Sequence, residues 1–199
     1  MKAVLATNNA HKVVEFNAAF KKAGLDIELI TSAQAGFNGD IDENADTFEG
    51  NAYIKAKALC DYTGLIAMAD DSGLIVDVLD GRPGVFSARY AGEGATDAMN
   101  NQKLLAELDG LPESERSARF VSVICVCRPD GERLLVRGES EGIILDAPRG
   151  EGTFGYDPLF LCKKLGRTFA ELDNDTKNSV SHRGAAIAEL VKNIDFIIG

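Results

Sequence analysis

Hydrophobic periodicity changes twice within the first thirty residues. A strand-like segment, Lys2–Ala6, gives way to Val13, Phe16, Phe20 and Ala23 at helical spacing, and Ile27–Ile30 returns to a strand. Gly24 is placed to end that helix. Residues 33–46 read as a polar, acidic loop. Asp46 and Glu49 then make a capping-box pattern before a second helix, whose apolar face is Phe48, Ala52, Ala56 and Leu59 and which Gly64 ends. Leu65–Met68 and Leu74–Leu79 predict a strand pair around Ala69-Asp70-Asp71-Ser72-Gly73. After the Gly/Pro-punctuated segment Asp80–Gly94, a helix is expected from Thr96 or Asp97 to about Leu108. Strands follow at Ala118–Cys127, Arg133–Glu139, Gly142–Leu145 and Leu159–Cys162, with Gly131 turning between the first two. Ser181 is placed to cap a closing helix over Ala185–Ile194. Helices alternating with strands around a central meander predict an α/β fold with a mixed sheet.

The chain has 199 residues, enough for one well-buried domain or two lobes sharing a sheet; we treat it as a single domain, 1–199. Its net charge of −10, from 21 basic and 31 acidic residues, argues against non-specific binding to nucleic acid or an anionic membrane. The apolar run Ala3–Ala6 is too short for a signal-peptide core, and Val121–Cys127 suits a strand rather than a membrane span. Cys60, Cys125, Cys127 and Cys162 lack paired metal spacing, so a reduced cytoplasm is the expected location.

Chemistry concentrates at Asp70 and Asp71. Two adjacent carboxylates on an expected buried strand are costly unless a cation, a proton or a donor compensates them. Either they serve a metal ion or a general base, or they end a strand in a turn. The opening strand–loop–helix, Thr7-Asn8-Asn9-Ala10-His11-Lys12, offers either a phosphate site at a helix start or a simple helix cap. In the loop Asp40–Asp46, Ala45 and Asn51 break the calcium-hand pattern; it is a solvated loop, or one carboxylate such as Glu43 joins the aspartates on magnesium. Gly150–Gly155 matches a dinucleotide fingerprint as a string but leads into Pro158 and a strand rather than a helix. Phe154 and Tyr156 either stack on a nucleobase or pack in the core. His182 reads as a cap residue or a ligand contact, and Arg183 as a donor to an anion or a carbonyl.

Six strings in register along the chain resemble one family, the inosine/xanthosine triphosphate pyrophosphatases. They are Ala6-Thr7-x-Asn9-x-x-Lys12, Thr47-Phe48-x-x-Asn51-Ala52, Ala69-Asp70-Asp71-Ser72-Gly73-Leu74, Pro83-Gly84-x-x-Ser87-Ala88-Arg89-Tyr90, Phe154-Gly155-Tyr156-Asp157-Pro158 and Ser181-His182-Arg183-Gly184. The resemblance implies an elongated, twisted mixed β-sheet flanked by helices, with two lobes and a nucleotide cleft between them. It implies a homodimer that uses Mg2+ and hydrolyses non-standard purine nucleoside triphosphates to the monophosphate and pyrophosphate. By the same resemblance, Thr7, Asn8, Asn9, Ala10, His11 and Lys12 hold the triphosphate, and Glu43 and Asp71 hold the metal, with Asp71 also the base. Ser72 binds substrate beside them, and Phe154, Gly155, Tyr156, Asp157, Lys177, His182 and Arg183 surround the base and phosphates. Asn8 stands where the family's first motif carries glycine; asparagine is the side chain that best tolerates φ > 0.

The expected reaction is attack of water on the α-phosphorus, with Asp71 as base and no covalent intermediate. Only two histidines are present, and no nucleophile–base dyad is recognisable. Arg183 or backbone N–H groups would pair with the purine 6-carbonyl and meet a donor in adenosine instead. Two alternatives carry different expectations: a septum-formation-type (Maf-like) pyrophosphatase for modified pyrimidines, and a non-catalytic nucleotide-binding regulator.

Overall fold

The structure, a computed structural model, describes residues 1–7, 10–152 and 154–198; the side chains of Ala10 and His11 are outside that description. Strands β1 (Lys2–Leu5), β2 (Glu28–Thr31), β3 (Ala67–Val76), β4 (Ser117–Cys127), β5 (Arg133–Ile144), β6 (Phe160–Cys162) and β7 (Arg167–Thr168) form one sheet. Its order is β2-β1-β3-β4-β5-β6-β7. β1 runs parallel to β2 and β3, whereas β6 is antiparallel to β5 and β7, so the sheet is mixed as the alternation of elements predicts. The helices are α1 (Ala10–Lys22), α2 (Phe48–Thr63), α3 (Asp97–Glu107), α4 (Asn174–Val180), α5 (His182–Lys192) and α6 (Asp195–Ile198). Among the described residues no helix is long and apolar enough to cross a membrane.

The chain divides into two compact units. The first comprises residues 1–71, 122–138 and 183–199. Its core gathers Ala3 and Leu5 of β1, Phe16 and Phe20 of α1, Met68 of β3, Ile124 and Val126 of β4, and Ile187 and Leu190 of α5. Phe16 and Phe20, one helical turn apart, meet edge to face with centroids 6.1 Å apart, so the sequence period translates directly into packing. The second unit comprises residues 72–121 and 139–182. Its core centres on Phe120, Phe160 and Phe169, with Leu74, Leu104, Leu108 and Ile144 around them.

Three expectations change. The strand pair around the aspartates is a single strand, β3, and the apolar run after it ends at Val76 in a 3-10 turn, Asp77–Leu79. The expected strands 133–139 and 142–145 are likewise one strand, β5; Gly142 does not break it, because a Cβ there would stand 2.5 Å from the Phe160 ring. Glycine there marks close packing rather than a turn. The cap of α2 is Thr47, whose hydroxyl accepts from Gly50 N–H at 3.0 Å, and not Asp46. Gly64 ends that helix as expected, at φ +65°.

Candidate active site

In β3 consecutive side chains leave opposite faces of the pleat, so Asp70 and Asp71 serve different surroundings despite their adjacency. This is the feature that organises the first unit.

Asp70 is buried, its side chain 1% exposed. Lys12 Nζ lies 2.8 Å from Oδ2, Arg183 Nε donates to the same oxygen at 3.0 Å, and the fully buried Ser122 hydroxyl donates to Oδ1 at 2.6 Å. Burial alone would push the carboxyl up, but Lys12 and Arg183, with hydrogen bonds from Lys12 and Ser122, hold it well below the usual range. Arg183 also donates through Nη1 to Glu15 at 3.1 Å, so two carboxylates engage its guanidinium. Asp70 is therefore held as an anion by the cations around it and is a poor proton acceptor near neutral pH.

Asp71 faces Lys55 of α2. The ammonium lies 2.9 Å from Asp71 Oδ1 and 2.8 Å from Glu43 Oε2, and it donates to the Asp70 carbonyl at 3.2 Å. Burial is the strongest influence on Asp71 and raises it; Lys55 opposes, while Glu43 and Asp70 add to the rise. The balance leaves Asp71 above the ordinary carboxylate value, the condition that suits a general base. Lys55 loses to burial but gains more from Asp71 and Glu43, so its pKa is raised and it stays charged.

Glu43 reaches Lys55 because the acidic loop is tied to α2. Buried Asn51 accepts from Ala45 N–H at 3.0 Å, and Gly50 leaves no side chain where a Cβ would come within 2.6 Å of the Ala45 methyl. The loop is thus not simply solvated. Sequence reasoning missed Lys55, Asn51's role as anchor, and Ser122. Asn51 gave a signal, a polar residue beside the apolar face of α2; Lys55 gave none, because a helical lysine is ordinarily solvated.

The two carboxylates on Lys55 already accommodate a cation, and their oxygens are the hard donors magnesium prefers. Magnesium is usually held by one or two carboxylates plus substrate phosphates rather than by a protein-only cage. Among the described residues no group of three or more His, Cys, Asp and Glu side chains could hold a metal ion. Asp71 and Glu43 are the carboxylate pair that such a metal would take together with phosphate.

Of the expected triphosphate segment, Thr7 is half-buried with its N–H on the Leu5 carbonyl at 2.8 Å, and Lys12 is committed to Asp70. Asn8 and Asn9, and the side chains of Ala10 and His11, lie outside the described residues.

The second unit holds the remaining candidates. Ser72 is half-buried in β3. Phe154 is 57% exposed, with Lys177 Nζ 5.3 Å from its ring centroid. Lys177, on α4, pairs with buried Asp157 and also lies 5.6 Å from the Phe169 ring. His182 stacks on Phe120 with centroids 4.8 Å apart and planes 14° apart, and is nearly buried. Tyr156 resolves the alternative left open for it. The side chain is 5% exposed and donates its hydroxyl to the Ser87 carbonyl at 2.8 Å, so it is a core residue and not a stacking platform. Burial, with Tyr90 and Asp97 adding, raises its phenol.

The fold and site define an α/β protein with carboxylates built around cations at one strand and an exposed aromatic ring beside a lysine–aspartate pair. The chain belongs to the Ham1 family, whose model matches residues 3–193. Among curated relatives it is 50% identical over 200 residues to the dITP/XTP pyrophosphatase of Lactobacillus acidophilus, covering 96% of each chain. It is also 50% identical over 187 residues to the dITP/XTP pyrophosphatase of Geobacter sulfurreducens, covering 94% of this chain and 93% of that one. Among solved structures, a HAM1 protein from Coxiella burnetii superposes with a TM-score of 0.91 at 42% identity over 98% of both chains. The Staphylococcus aureus Ham1 protein gives 0.90 at 38% identity over 98% of both.

Proposed function

We propose that this protein is a pyrophosphatase for non-standard purine nucleoside triphosphates (ITP, dITP and XTP), cutting each to its monophosphate and pyrophosphate. The names of its relatives support the substrate class, and one observation supports the chemistry: the pleat of β3 separates Asp70, caged by Lys12, Arg183 and Ser122, from Asp71, which faces Lys55 and Glu43 on the other side.

Asp71 orients a water molecule and takes its proton as the oxygen bonds to the α-phosphorus; the bond from that phosphorus to the bridging oxygen breaks, and pyrophosphate leaves. Thr7–Lys12 hold the triphosphate, and Lys177 contributes a second cation, since a substrate with about four negative charges is entering an acidic protein. Glu43 and Asp71 would hold Mg2+, which supplies charge neutralisation on the phosphates and lowers the proton affinity of bound water. Ser72 contacts substrate beside Asp71, and Phe154 offers its exposed face to the purine. His182, stacked on Phe120, contributes to the substrate-binding surface of the second unit. Arg183 and backbone N–H groups are the donors for the 6-carbonyl. The protein acts as a homodimer, an assignment supported by the family resemblance. Four free cysteines suit the cytoplasm as its location, and the net charge of −10 disfavours nucleic acid and anionic membranes as partners.

Pyrophosphate release from inosine, xanthosine, deoxyinosine, guanosine and adenosine triphosphates, each with and without Mg2+, tests the assignment. Release from the inosine and xanthosine substrates that stops in EDTA and returns with Mg2+ is expected. No metal-dependent release from any of these three would overturn it.

A further inference from the structure

In the second unit, α3 grips one residue of the aromatic loop from both sides. Asp97 Oδ2 accepts from Gly155 N–H at 2.7 Å, and Asn101 Nδ2 donates to Gly155 C=O at 2.9 Å. Asp97 and Asn101 are four residues apart on α3 and so share a face, and Thr96 caps that helix by accepting from Met99 N–H, which fixes where the face begins. Gly155 has φ +54°, a conformation side chains rarely adopt, and it lies between exposed Phe154 and buried Tyr156. Both backbone polar groups of the residue that joins a core anchor to an exposed ring are thus committed to one helix. The grip leaves a cost behind, because Asn101 Oδ1 is buried with no hydrogen-bond partner among the described residues. A leucine at 101 would remove that orphan only by leaving the Gly155 carbonyl without its donor, so the asparagine is set by the grip on Gly155.

We propose that Asp97 and Asn101 are positioning residues for the purine: by clamping Gly155 they hold the Phe154 ring beside Lys177, where a base can stack without first ordering the loop. The inference rests on Phe154 being the base platform proposed above. Pre-ordering a loop lowers the entropy lost on binding, so its removal acts on KM more than on kcat.

The test compares Asp97→Ala, Asn101→Leu, the conservative Asp97→Asn and Phe154→Ala. Steady-state kinetics with inosine triphosphate and Mg2+ are read beside thermal midpoints and hydrogen exchange of the segment 154–157. Loss of one hydrogen bond predicts a rise in KM of roughly fivefold in Asp97→Ala and in Asn101→Leu, with kcat held within about twofold. Asp97→Asn keeps an acceptor for Gly155 N–H and should stay near wild type. Asn101→Leu exchanges one unsatisfied oxygen for another and should melt near the wild-type temperature, and exchange at 154–157 should quicken in both weakened variants. Unchanged KM in Asp97→Ala and Asn101→Leu, while Phe154→Ala raises it, overturns the positioning role and leaves the base platform standing. Unchanged KM in all three overturns the platform and the positioning role together. Loss of kcat together with thermal midpoint, shared by Asp97→Asn, marks a purely structural role and also overturns the proposal.

Discussion

Replacing Asp70 with asparagine tests whether this carboxylate belongs to the fold rather than to the chemistry. The substitution keeps shape and volume, so no cavity forms; what changes is charge. Lys12 at 2.8 Å and Arg183 at 3.0 Å lose their common counter-ion, and a buried N–H2 group takes the place of one acceptor. Removing one partner of a buried ion pair costs about 3–5 kcal/mol. Two features favour the lower end. The Lys12 side chain is 21% exposed and can turn toward water, and Arg183 retains Glu15 at 3.1 Å. A loss of about 3 kcal/mol should lower the melting temperature by about 6–12 °C for a chain of this length. The loss should also depend on pH. Asp70 is depressed in the folded state, so its contribution is fully present above its ordinary value of 3.8 and is lost as pH falls through the lower folded value. The gap between wild type and Asp70→Asn should therefore be constant near neutrality and close in acid. Thermal melts followed by circular dichroism, without nucleotide or metal, provide the measurement; Lys12→Met in the Asp70→Asn background should recover part of the loss. A melting temperature within about 2 °C of wild type at neutral pH would refute the claim that these three bonds hold a buried charge.

Asp71→Asn should do the reverse, nearly abolishing pyrophosphate release while melting close to wild type; full turnover would remove Asp71 from the mechanism. Gly50→Ala should displace the acidic loop through its clash with Ala45, raising the Mg2+ concentration for half-maximal activity several-fold, and an unchanged metal titration would show that Glu43 does not depend on that packing. Arg183→Ala, which strips Asp70 and Glu15 of a shared donor, should cost about 2–3 kcal/mol in denaturant unfolding, and a loss below about 0.5 kcal/mol would contradict the ion-pair geometry. The same variant should narrow the ratio of inosine to adenosine triphosphate turnover, and an unaltered ratio would free Arg183 from base selection.

Much of the fold was legible because local signals and tertiary demand agreed. Phe16 and Phe20 announced α1, Gly64 ended α2 where the left-handed conformation was required, and Thr96 capped α3. Glycines inside strands misled: Gly73 and Gly142 read as breaks, yet both lie within continuous strands, and at Gly142 the Phe160 ring and the neighbouring strand leave no room for a side chain. The site was legible as a set of residue types, not as an arrangement. Adjacency of Asp70 and Asp71 suggested a pair acting together; only the continuity of β3 shows that they do not share a face. Lys55 was invisible because nothing local distinguishes it from a solvated lysine; its meaning comes from a loop twelve residues earlier and a strand sixteen residues later. Tyr156 could not be told from Phe154 before the Ser87 carbonyl was seen to claim its hydroxyl.

The two sides of β3 give durability and reactivity different handles, linked by the charge on Asp70. Substitutions around Lys12, Ser122 and Arg183 act first on how firmly the strand is seated, and reach the proton affinity of Asp71 only through the charge on Asp70. Those around Lys55 and Glu43 shift that affinity while the strand stays anchored from behind. A one-residue slip of the strand would put Ala69 in the Asp70 slot or Ser72 in the Asp71 slot and leave one set of cations without its carboxylate, so the cations on both sides help to fix the register.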